Sequence, residues 1–418
     1  MNPIKDNKLQ IYLVGGAVRD QLLGREVYDR DWVVVGASFE QMLDYGFTPV
    51  GKDFPVFLHP DTKEEFALAR TERKQGSGYT GFVCHADPDV TLEQDLLRRD
   101  LTINAMAMDA DGNLFDPYHG KDDLDNRVFR HVSDAFSEDP LRVLRLARFA
   151  ARYFEYGFTI HPDTQALLES MAASGELENL SGDRIFKEVS RALTEPNPEQ
   201  FIEVLRHCGA LKVIWPELDA LWGVPNPVAH HGEVDSGIHT LMVLKEAVKL
   251  TDDIGVRFAA LCHDLGKGLT EEQYWPSHHG HEKSGLPLVE DVCDRFRVPK
   301  QITNLALRVC EYHLHCHRIK ELKPKTILKL LNALDPWRNL EMLENFVLAC
   351  HADSSGRLGK EDSPYPQGEF LLEVASECKK VVARPFVEQG LQGKAISEAI
   401  VKQRGAIIAD MKKKRIGE

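Results

Sequence analysis

The sequence predicts an α+β fold in which a small mixed sheet precedes a long all-helical region. Short apolar runs separated by glycine, proline and aspartate fill the first part of the chain, which is typical of short strands and turns. From about Asp139 onward, apolar residues recur at helical spacing, as in "LRVLRLARFAARYF" and "IHTLMVLKEAVKL". A chain of 418 residues has room for about two to four domains of roughly 100–200 residues each.

The order of these elements predicts where the domains begin and end. "LQIYLVGG" and "DWVVVG" are predicted strands, and "VFLHP" and "EFALAR" are predicted strands on either side of the turn "HPDTKEE". The segments 221–237 and 356–369 are rich in turn-forming residues and separate helical blocks. We therefore predict four domains: a head over 1–140, a helical neck and body over 141–230, a histidine-rich helical domain over 231–355 and a helical basic tail over 356–418.

Charge and cysteine usage narrow the class of protein. The net charge of -14 does not favour nucleic-acid binding by the whole surface, but Lys379–Glu418 carries ten Lys/Arg against four Asp/Glu. This basic tail is either an RNA contact or a solvated surface helix. The eight cysteines form no C-x-x-C pair, which argues against a zinc ribbon or a disulfide framework. The polar start and the lack of an apolar run near ~18 residues predict a cytoplasmic protein without a membrane partner.

Two carboxylates stand at the start of the predicted strand "DWVVV". Asp29 and Asp31 are two residues apart, so a strand would place their side chains on the same face. Adjacent carboxylates repel each other unless a cation lies between them, and Mg²⁺ prefers such oxygen ligands together with substrate phosphates. The pair predicts a two-metal phosphoryl-transfer site, with Glu65 on "EEFALAR" as a candidate third carboxylate. The alternative is a solvated strand start in which aspartate only favours the turn.

A phosphate-binding turn precedes this pair. Gly15 and Gly16 follow the first strand and open a short helix that ends near Gly24. Glycines let a ligand approach the backbone, and a helix N-terminus offers free N–H groups to an anion. Arg19 on this helix is a candidate clamp for a triphosphate.

A second group of basic residues lies on one predicted helix. Arg142, Arg145, Arg148 and Arg152 fall within about a third of its circumference. Within the predicted helix no glutamate lies four residues from these arginines, which suggests an anionic ligand; the alternative is an ordinary solvated face. In "LLRRDLTINAM", Arg99 is a further candidate for a phosphate or ribose.

A separate histidine-rich constellation predicts a metal centre. Buried histidine and aspartate are costly without partners, yet "LCHDLGKG" places His263 and Asp264 at the end of an apolar helix. His239 precedes them on another helix and Asp353 follows much later. Imidazole and carboxylate together suit a transition metal, which lowers the pKa of bound water. Further candidates for the same cleft lie nearby: Lys267, His278, His279 and His281. In "CEYHLHCHR" the ligands are too crowded along one helical turn to close a zinc site alone.

Four segments occur in a characteristic order along the chain: "LVGGAVRDQLLG", "DRDWVVVG", "LLRRDLTINAMAMD" and "EDPLRVLRLARFAARY". They resemble the motifs of class II CCA-adding enzymes, the tRNA nucleotidyltransferases with a polymerase-beta-type head. The resemblance runs from about residue 9 to the C-terminus and includes the extra helical domain of the multifunctional bacterial form. Within that domain, the order H…HD…D and the segment "HDLGKG" resemble the HD phosphohydrolase superfamily.

The resemblance implies a fold, partners and site residues. It implies a nucleotidyltransferase head, a neck and body, an HD domain and a tail, acting on tRNA with CTP and ATP as monomer or homodimer. It implies that Asp29 and Asp31 bind Mg²⁺, and that the nucleotide is contacted by Gly16, Arg19, Arg99, Arg145 and Arg148. The HD domain implies phosphatase and 2′,3′-cyclic phosphodiesterase activity with Ni²⁺ or another divalent transition metal.

Three alternatives explain less of the sequence. A bacterial poly(A) polymerase shares the head motifs, but the HD domain argues against it. An HD nucleotide hydrolase with a degenerate head leaves Asp29, Asp31 and the arginine helix unexplained. A non-catalytic RNA-binding protein explains neither metal site.

Selection of C and A over U and G needs a donor and an acceptor. The Watson–Crick edges of C and A both offer a ring nitrogen that accepts beside an amine that donates. Asp139 and Arg142, three residues apart at a helix start, are a candidate pair for reading that edge. The alternative is that Asp139 only caps the helix, with Pro140 at its first position, and pairs with Arg142.

Overall fold

The computed structural model describes residues 9–50, 55–74, 82–227 and 235–416. The chain divides into two compact units, Met1–Leu180 with His207–Ala210, and Ser181–Arg206 with Leu211–Glu418. No helix in the described parts of the chain is both long enough and apolar enough to cross a membrane. The middle of the predicted linker 221–237, residues 228–234, lies outside the described residues.

The first unit combines a sheet with short helices. Its described strands are β1 (Gln10–Val14), β2 (Asp31–Val35), β3 (Thr48–Val50), β4 (Val56–Leu58), β5 (Glu65–Leu68), β6 (Thr71–Lys74), β7 (Phe82–His85), β8 (Ala107–Met108), β9 (Leu114–Phe115), β10 (Val128–Phe129) and β11 (Thr159–Ile160). Its α-helices are α1 (Gly16–Leu22), α2 (Phe39–Asp44), α3 (Leu92–Leu97), α4 (Gly120–Asp125), α5 (Leu141–Tyr153) and α6 (Pro162–Ala173). Short 3-10 turns cover Thr102–Asn104, Asp134–Glu138, Phe154–Tyr156 and Glu176–Asn179.

The described strands of this unit form a seven-stranded mixed sheet in the order β3-β4-β5-β2-β1-β8-β9. Only the β2–β5 pair is parallel within this sheet, and β6–β7 and β10–β11 form separate pairs. The residues of β2 after Asp31 are apolar because both faces of the sheet are covered at this strand. Val33 belongs to one core cluster with Val14 and Leu96, whereas Val34 belongs to another with Phe57.

Local signals explain the helices around the sheet. Ser38 and Gln41 form a capping box at the start of α2, and Thr91 and Gln94 form one at the start of α3. The start of α5 differs by one residue from the prediction, because Pro140 is the cap residue and the helix begins at Leu141.

The second unit is helical over its described residues. Its α-helices, the second and third of which meet at the short segment His207–Ala210, are α7 (Gly182–Leu193), α8 (Glu199–His207), α9 (Ala210–Ile214), α10 (Pro216–Asp219), α11 (Ser236–Leu250), α12 (Ile254–Cys262), α13 (His281–Phe296), α14 (Lys300–His317), α15 (Pro324–Leu334), α16 (Leu340–Ser355), α17 (Pro366–Lys379), α18 (Arg384–Glu388) and α19 (Lys394–Ile416). Helix α12 packs on α11, α14 and α16. The 3-10 turns Leu265–Leu269 and Glu272–Tyr274 follow α12. The predicted α+β fold class, with a mixed sheet followed by helices, is confirmed.

Candidate catalytic centres

The first centre is at the edge of the head sheet where β2 begins. Asp31 is the first residue of β2 and pairs with Val14 of β1 on one side and with Glu65 of β5 on the other. Because β2 and β5 are parallel and in register there, the Asp31 and Glu65 side chains lie on the same face. Asp29 precedes the strand, since β1 turns away after Val14 and leaves it without a pairing partner. The sequence prediction had placed both aspartates within the strand start.

These carboxylates remain available to a cation. Asp29, Asp31 and Glu65 are exposed, and no hydrogen bond or ion pair joins them to any of the described residues. Partial desolvation raises the pKa of Asp31, Asp29 raises it further, and the charge of Arg99 opposes both effects. Carboxylate oxygens of this kind fit Mg²⁺. Within the described residues their ligand oxygens do not all approach within 4.8 Å of one another, so the three carboxylates do not form a closed site by themselves.

Gly15 allows an arginine to reach this edge. Its φ of 67° favours glycine, and a Cβ atom there would lie 2.8 Å from Nη1 of Arg99. Arg99 donates from Nη2 to Asp95 at 3.2 Å, whereas its buried Nε has no hydrogen-bond partner in the described structure. Burial lowers the pKa of Arg99, and the charge of Asp95 opposes that shift. An unsatisfied guanidinium donor beside exposed carboxylates fits an anionic ligand.

Arg19 is buried rather than open. Its Nε and Nη2 donate to Asp20 at 3.0 and 3.1 Å, and Nη1 donates to Asn104. The guanidinium also lies 4.9 Å from the ring centroid of Tyr153, whose hydroxyl donates to Asp20 at 2.6 Å. A Cβ atom at Gly16 would lie 3.3 Å from Nη2 of Arg19. The glycine turn therefore packs against an arginine already held by its neighbours.

The arginines of α5 are also held by the protein. Arg145 donates from Nε and Nη2 to Oδ2 of Asp100 at 3.0 and 2.8 Å. Burial alone would raise the pKa of Asp100, but Arg145 and a hydrogen bond from Asn104 lower it well below its usual range. Arg148 is buried, and its guanidinium lies 4.9 Å from the ring centroid of Phe149. The acidic partner of Arg145, which the local sequence pattern did not show, is therefore Asp100, a residue distant along the chain.

The proposed base-reading pair has backbone partners. The Asp139 carboxylate accepts from the Leu141 N–H at 3.1 Å, which is a capping contact. Arg142 donates to the carbonyl oxygens of Ala135 at 3.0 Å and Arg98 at 2.6 Å. The described structure therefore brings Asp139 and Arg142 to the same helix start and orients both through the backbone.

The second centre is enclosed by helices of the second unit. His239 comes from α11, His263 and Asp264 follow α12, and Asp353 comes from α16. All four are buried, with at most 3% of the residue exposed. Ligand atoms of His239, His263 and Asp353 lie within 4.8 Å of one another. Nε2 of His239 is 3.2 Å and Nε2 of His263 is 3.7 Å from Oδ1 of Asp353.

Asp264 lies between this group and a second one. Its Oδ2 is 3.1 Å from Nε2 of His263, while its Oδ1 is 3.1 Å from Nε2 of His281 and 3.7 Å from Nε2 of His313. The ligand atoms of Asp264, His281 and His313 also lie within 4.8 Å of one another. His281 was a candidate from the sequence, whereas His313 was set aside as part of a crowded helix.

Two further sequence candidates lie outside both groups. His278 bonds to Thr270 at 3.0 Å and to the carbonyl oxygen of Pro225 at 2.8 Å, and His279 is exposed. Lys267 lies inside the pocket, where its Nζ contacts Oδ2 of Asp264 at 2.6 Å and donates to Asn226 at 3.0 Å.

Small residues allow the helices of this centre to approach closely. A Cβ atom at Gly266 would lie 2.1 Å from the carbonyl oxygen of His281, which opens α13. Glycine at this point of "HDLGKG" therefore lets His281 lie beside Asp264. Helix α14 adds His313 and His317, which are four residues apart and so lie on one face. Their i, i+4 spacing is a sequence signal that could have identified them, but the sequence analysis set this segment aside.

Outer contacts orient the ligands. Nε2 of His317 lies 2.6 Å from Oδ2 of Asp353, and its Nδ1 lies 2.8 Å from the Tyr365 hydroxyl.

Burial alone would lower the pKa of His263, but Asp264 and Asp353 raise it to about 9. For His313 burial prevails and lowers the pKa to about 3. Nε2 of His263 and Oδ1 of Asp264 are buried without a hydrogen-bond partner in the described structure, as expected of atoms that bind a metal.

Three family models match separate parts of the chain. A poly A polymerase head domain model matches residues 11–130. A model described as the probable RNA and SrmB-binding site of polymerase A matches residues 157–221, and an HD domain model matches residues 237–355. The second centre lies within the residues matched by the HD model.

Solved structures share the fold over most of the chain. The Thermotoga maritima CCA-adding enzyme in complex with tRNA has a TM-score of 0.63 at 20% identity, covering 98% of this chain and 92% of that one. A CCA-adding enzyme in complex with CTP has a TM-score of 0.64 at 22% identity, covering 97% of this chain and 89% of that one. At these identities the likeness concerns the fold.

Two bacterial relatives are similar in sequence along nearly their whole length. The multifunctional CCA protein of Teredinibacter turnerae is 58% identical over 396 residues, covering 95% of this chain and 96% of the relative. The multifunctional CCA protein of Vibrio campbellii is 56% identical over 400 residues, covering 96% of this chain and 98% of the relative. Identity at this level and coverage shows that the chain belongs to the family of multifunctional CCA proteins.

Proposed function

We propose that this chain adds and repairs the 3′-terminal CCA of tRNA with CTP and ATP, and hydrolyses phosphate esters at a separate HD centre. Family membership supports the pair of activities, and favours CCA addition over poly(A) synthesis. The observation that carries the first activity is the edge where Asp31 and Glu65 are in register and Arg99 reaches past Gly15. A tRNA substrate would place the enzyme in the cytoplasm. A monomer or a homodimer stays the predicted assembly.

In the head, the reaction is a transfer of a nucleotidyl group. The tRNA 3′-hydroxyl oxygen attacks the α-phosphorus and gives up its proton to solvent, the bond to the β-phosphate oxygen breaks, and pyrophosphate leaves. We assign Asp29 and Asp31, with Glu65 as a third carboxylate, to holding Mg²⁺, which would neutralise charge on the phosphates when bound. The free donor of Arg99 supports its assignment to the triphosphate. Gly16, Arg19, Arg145 and Arg148 stay predicted nucleotide contacts.

Base choice is assigned to the start of α5. The Asp139 carboxylate would accept from the exocyclic amine of C or A, and Arg142 would donate to the ring nitrogen. Arg142 and Arg145 are linked through the segment that carries Arg98 and Asp100, so the helix start is oriented before a nucleotide arrives. The geometry of this helix start therefore supports a protein-based selection without a nucleic-acid template.

In the HD domain, we assign His239, His263, Asp264 and Asp353 to a divalent transition metal such as Ni²⁺, which would lower the pKa of bound water. The orphaned Nε2 of His263 supports this assignment. Opening of a 2′,3′-cyclic phosphate adds the water oxygen to phosphorus and breaks one P–O bond to the ribose, whose oxygen takes up the proton. Lys267 is placed to contact a phosphate oxygen.

We retain four domains as a proposal, a head over 1–140, a neck and body over 141–230, an HD domain over 231–355 and a tail over 356–418, and the family models that match 11–130, 157–221 and 237–355 support the first three. The two compact units show that 141–180 packs with the head. The helix with the arginines is thus built into the nucleotide-binding unit.

One experiment tests the proposed function directly. A tRNA that lacks its CCA end is incubated with CTP and ATP, with and without Mg²⁺. We expect two C and one A to be added and addition then to stop, only when Mg²⁺ is present. Addition of a long A tract would instead favour a poly(A) polymerase, and no addition at all would contradict the proposal for the head.

A further inference from the structure

The side chains that contact Asp353 show where solvent reaches the HD centre. Those of His239 and His263 are 0% and 1% exposed, whereas those of His317 and Arg357 are 14% and 26% exposed. Over the described residues, Asp353 is therefore reached from the side on which His317 and Arg357 lie. A phosphate ester that enters the centre from that side passes the end of α14.

A group of lysines follows directly after His317, where α14 ends. Lys320 and Lys323 lie between α14 and α15, and Lys325 and Lys329 belong to α15. The latter two are four residues apart, so they lie on one face of the helix. All four side chains are exposed. We call these four residues the lysine surface.

The lysine surface has no counter-charge of its own. Glu321 is the acidic residue in the sequence 318–329, and it pairs with Arg318 at 2.8 Å. The first turn of α15 contains no acidic residue. None of the four lysine side chains forms an ion pair or a hydrogen bond with another described residue. Neighbouring cations of this kind repel one another, an arrangement that a polyanion stabilises.

The end of the tail lies against the same region. Helix α19 packs along α15, and Lys412 donates to the carbonyl oxygen of Leu322 between α14 and α15. The exposed Lys413 follows Lys412 and adds to the positive charge. Because the whole chain has a net charge of -14, solubility does not require this local excess of cations.

We propose that the lysine surface binds the sugar-phosphate backbone of a tRNA whose damaged 3′ end lies in the HD centre. This inference rests on the proposed phosphohydrolase function of that centre, and it identifies the substrate class as RNA 3′ ends rather than free cyclic mononucleotides. An RNA backbone fits the row of lysines because it repeats its charge from one phosphate to the next. The reacting phosphate is the end of that same backbone.

Kinetics on two substrates test this proposal. The unchanged chain and a fourfold variant hydrolyse either a tRNA that ends in a 2′,3′-cyclic phosphate or a 2′,3′-cyclic mononucleotide. The variant carries Lys320→Gln, Lys323→Gln, Lys325→Gln and Lys329→Gln. For the tRNA we expect KM to rise roughly 10-fold at low salt, and its log–log salt dependence to flatten by up to about 0.9 per lost phosphate contact. For the mononucleotide KM and kcat should stay unchanged, because it has no backbone to contact.

Two matched variants separate position from charge. Arginine keeps the charge and should keep the KM of the unchanged chain in Lys320→Arg, Lys323→Arg, Lys325→Arg and Lys329→Arg. Glutamine at four other exposed lysines of the second unit changes the net charge equally and should leave KM unchanged: Lys245, Lys249, Lys300 and Lys380. Thermal unfolding of every variant separates lost contacts from misfolding, and Lys325→Gln with Lys329→Gln provides a milder second variant.

Several results would overturn the proposal. An unchanged KM for the tRNA, or an equal rise when the other four lysines are replaced, would show solvated side chains or a different anionic partner. An equal rise in KM for CCA addition to a truncated tRNA would assign the lysine surface to the substrate of the head. Hydrolysis of the mononucleotide but not of the tRNA end refutes this inference alone, whereas hydrolysis of neither refutes the proposed function on which it rests.

Discussion

The two candidate centres expose their ligands to very different degrees. In the head, Asp29 and Asp31 are exposed and accept no hydrogen bond from the described residues. In the HD domain, His239, His263 and Asp353 are almost completely buried and contact one another. An open carboxylate edge suits Mg²⁺ that arrives and leaves with a nucleotide, because Mg²⁺ keeps waters and shares substrate phosphates. An enclosed site with imidazoles suits an ion that stays.

The two centres also differ in which charged side chains surround which. Arginines of the head are pre-positioned by carboxylates, as Asp100 holds Arg145 and Asp20 holds Arg19. In the HD centre the carboxylates are surrounded by histidines and Lys267. The arginines of the head are thus arranged to suit phosphate groups. The carboxylates and imidazoles of the HD centre are arranged to suit a metal ion.

The largest expected effect is the separation of the two activities. Asp29→Ala with Asp31→Ala removes the proposed metal ligands, and metal ligands of this kind are worth several kcal/mol of transition-state stabilisation, or roughly 10³-fold in rate. Nucleotide addition to truncated tRNA should fall by that factor while hydrolysis of a cyclic phosphate is retained. His263→Ala should have the opposite effect. Loss of both activities in either variant, with the fold intact by circular dichroism, would contradict two independent centres.

The next effect concerns base choice within the head. Asp139→Ala and Arg142→Ala should each reduce discrimination against UTP and GTP by ~1–3 kcal/mol. Incorporation efficiency is measured for all four nucleotides on tRNA that ends before CCA. Arg152→Ala, on the same helix but in its last turn, is the matched control. If both variants discriminate like the unchanged protein and only unfold more easily, the capping contact and the bonds to Ala135 and Arg98 explain these residues.

A smaller effect, on stability, tests whether the head arginines are held by carboxylates. Asp100→Asn removes the charge partner of Arg145, and we expect a loss of about 1–2 kcal/mol at neutral pH, reduced by the partial exposure of Arg145. The folded pKa of Asp100 is depressed. Its contribution is therefore full above the unfolded value near ~3.9 and is lost as the pH falls through the lower folded value.

The measurement is the unfolding of both proteins at several pH values. The difference between the unchanged protein and Asp100→Asn should be constant from about pH 7 to pH 5 and shrink below about pH 4. A difference that stays constant below about pH 4 would show that Asp100 acts through packing rather than charge. Asp111→Asn, at an exposed aspartate of the same unit, controls for general charge effects.

The smallest effect concerns the tail. Neutralising Lys412, Lys413, Lys414 and Arg415 should flatten the log–log salt dependence of tRNA binding by up to about 0.9 per lost phosphate contact. Three of these cations already have partners: Arg415 pairs with Glu373 at 2.6 Å, Lys414 with Asp410 at 2.8 Å, and Lys412 donates to Leu322.

We therefore expect the slope to change by about 0.9, the value for one lost phosphate contact. The exposed Lys413 would make that contact. Binding is followed by fluorescence anisotropy of labelled tRNA over a range of salt concentrations. Lys413→Gln alone should reproduce most of the change. An unchanged slope in the fourfold variant would show that these charges only stabilise helix α19 and its contact with α17.

Local patterns were enough to predict part of each centre. The strand that begins at Asp31 and the arginine spacing of α5 follow from periodicity, and the doublet of His263 and Asp264 stands out because it ends an apolar helix. The fold class followed from the same patterns. These are features in which neighbours along the chain determine the structure.

Contacts between distant segments could not be predicted in this way. The register between Asp31 and Glu65 depends on how β3 and β4 return the chain to the sheet. The pairing of Arg145 with Asp100 joins residues 45 positions apart. For His313, helical spacing identifies a face, but only packing of α14 against α12 and α13 shows that this face borders Asp264.

Tyr365 makes the predicted end of the HD domain a poor place to cut the chain. It lies beyond Ser355, at the start of α17, yet its hydroxyl supports His317, which in turn contacts Asp353. A fragment that stops after Ser355 would keep every proposed metal ligand and lose the residue that supports His317, the neighbour of the proposed ligand Asp353. Its affinity for metal would be expected to fall by about 10–100-fold, as for other losses of outer-sphere support. An isolated HD fragment would then appear to be a weak metalloenzyme because of where it was truncated.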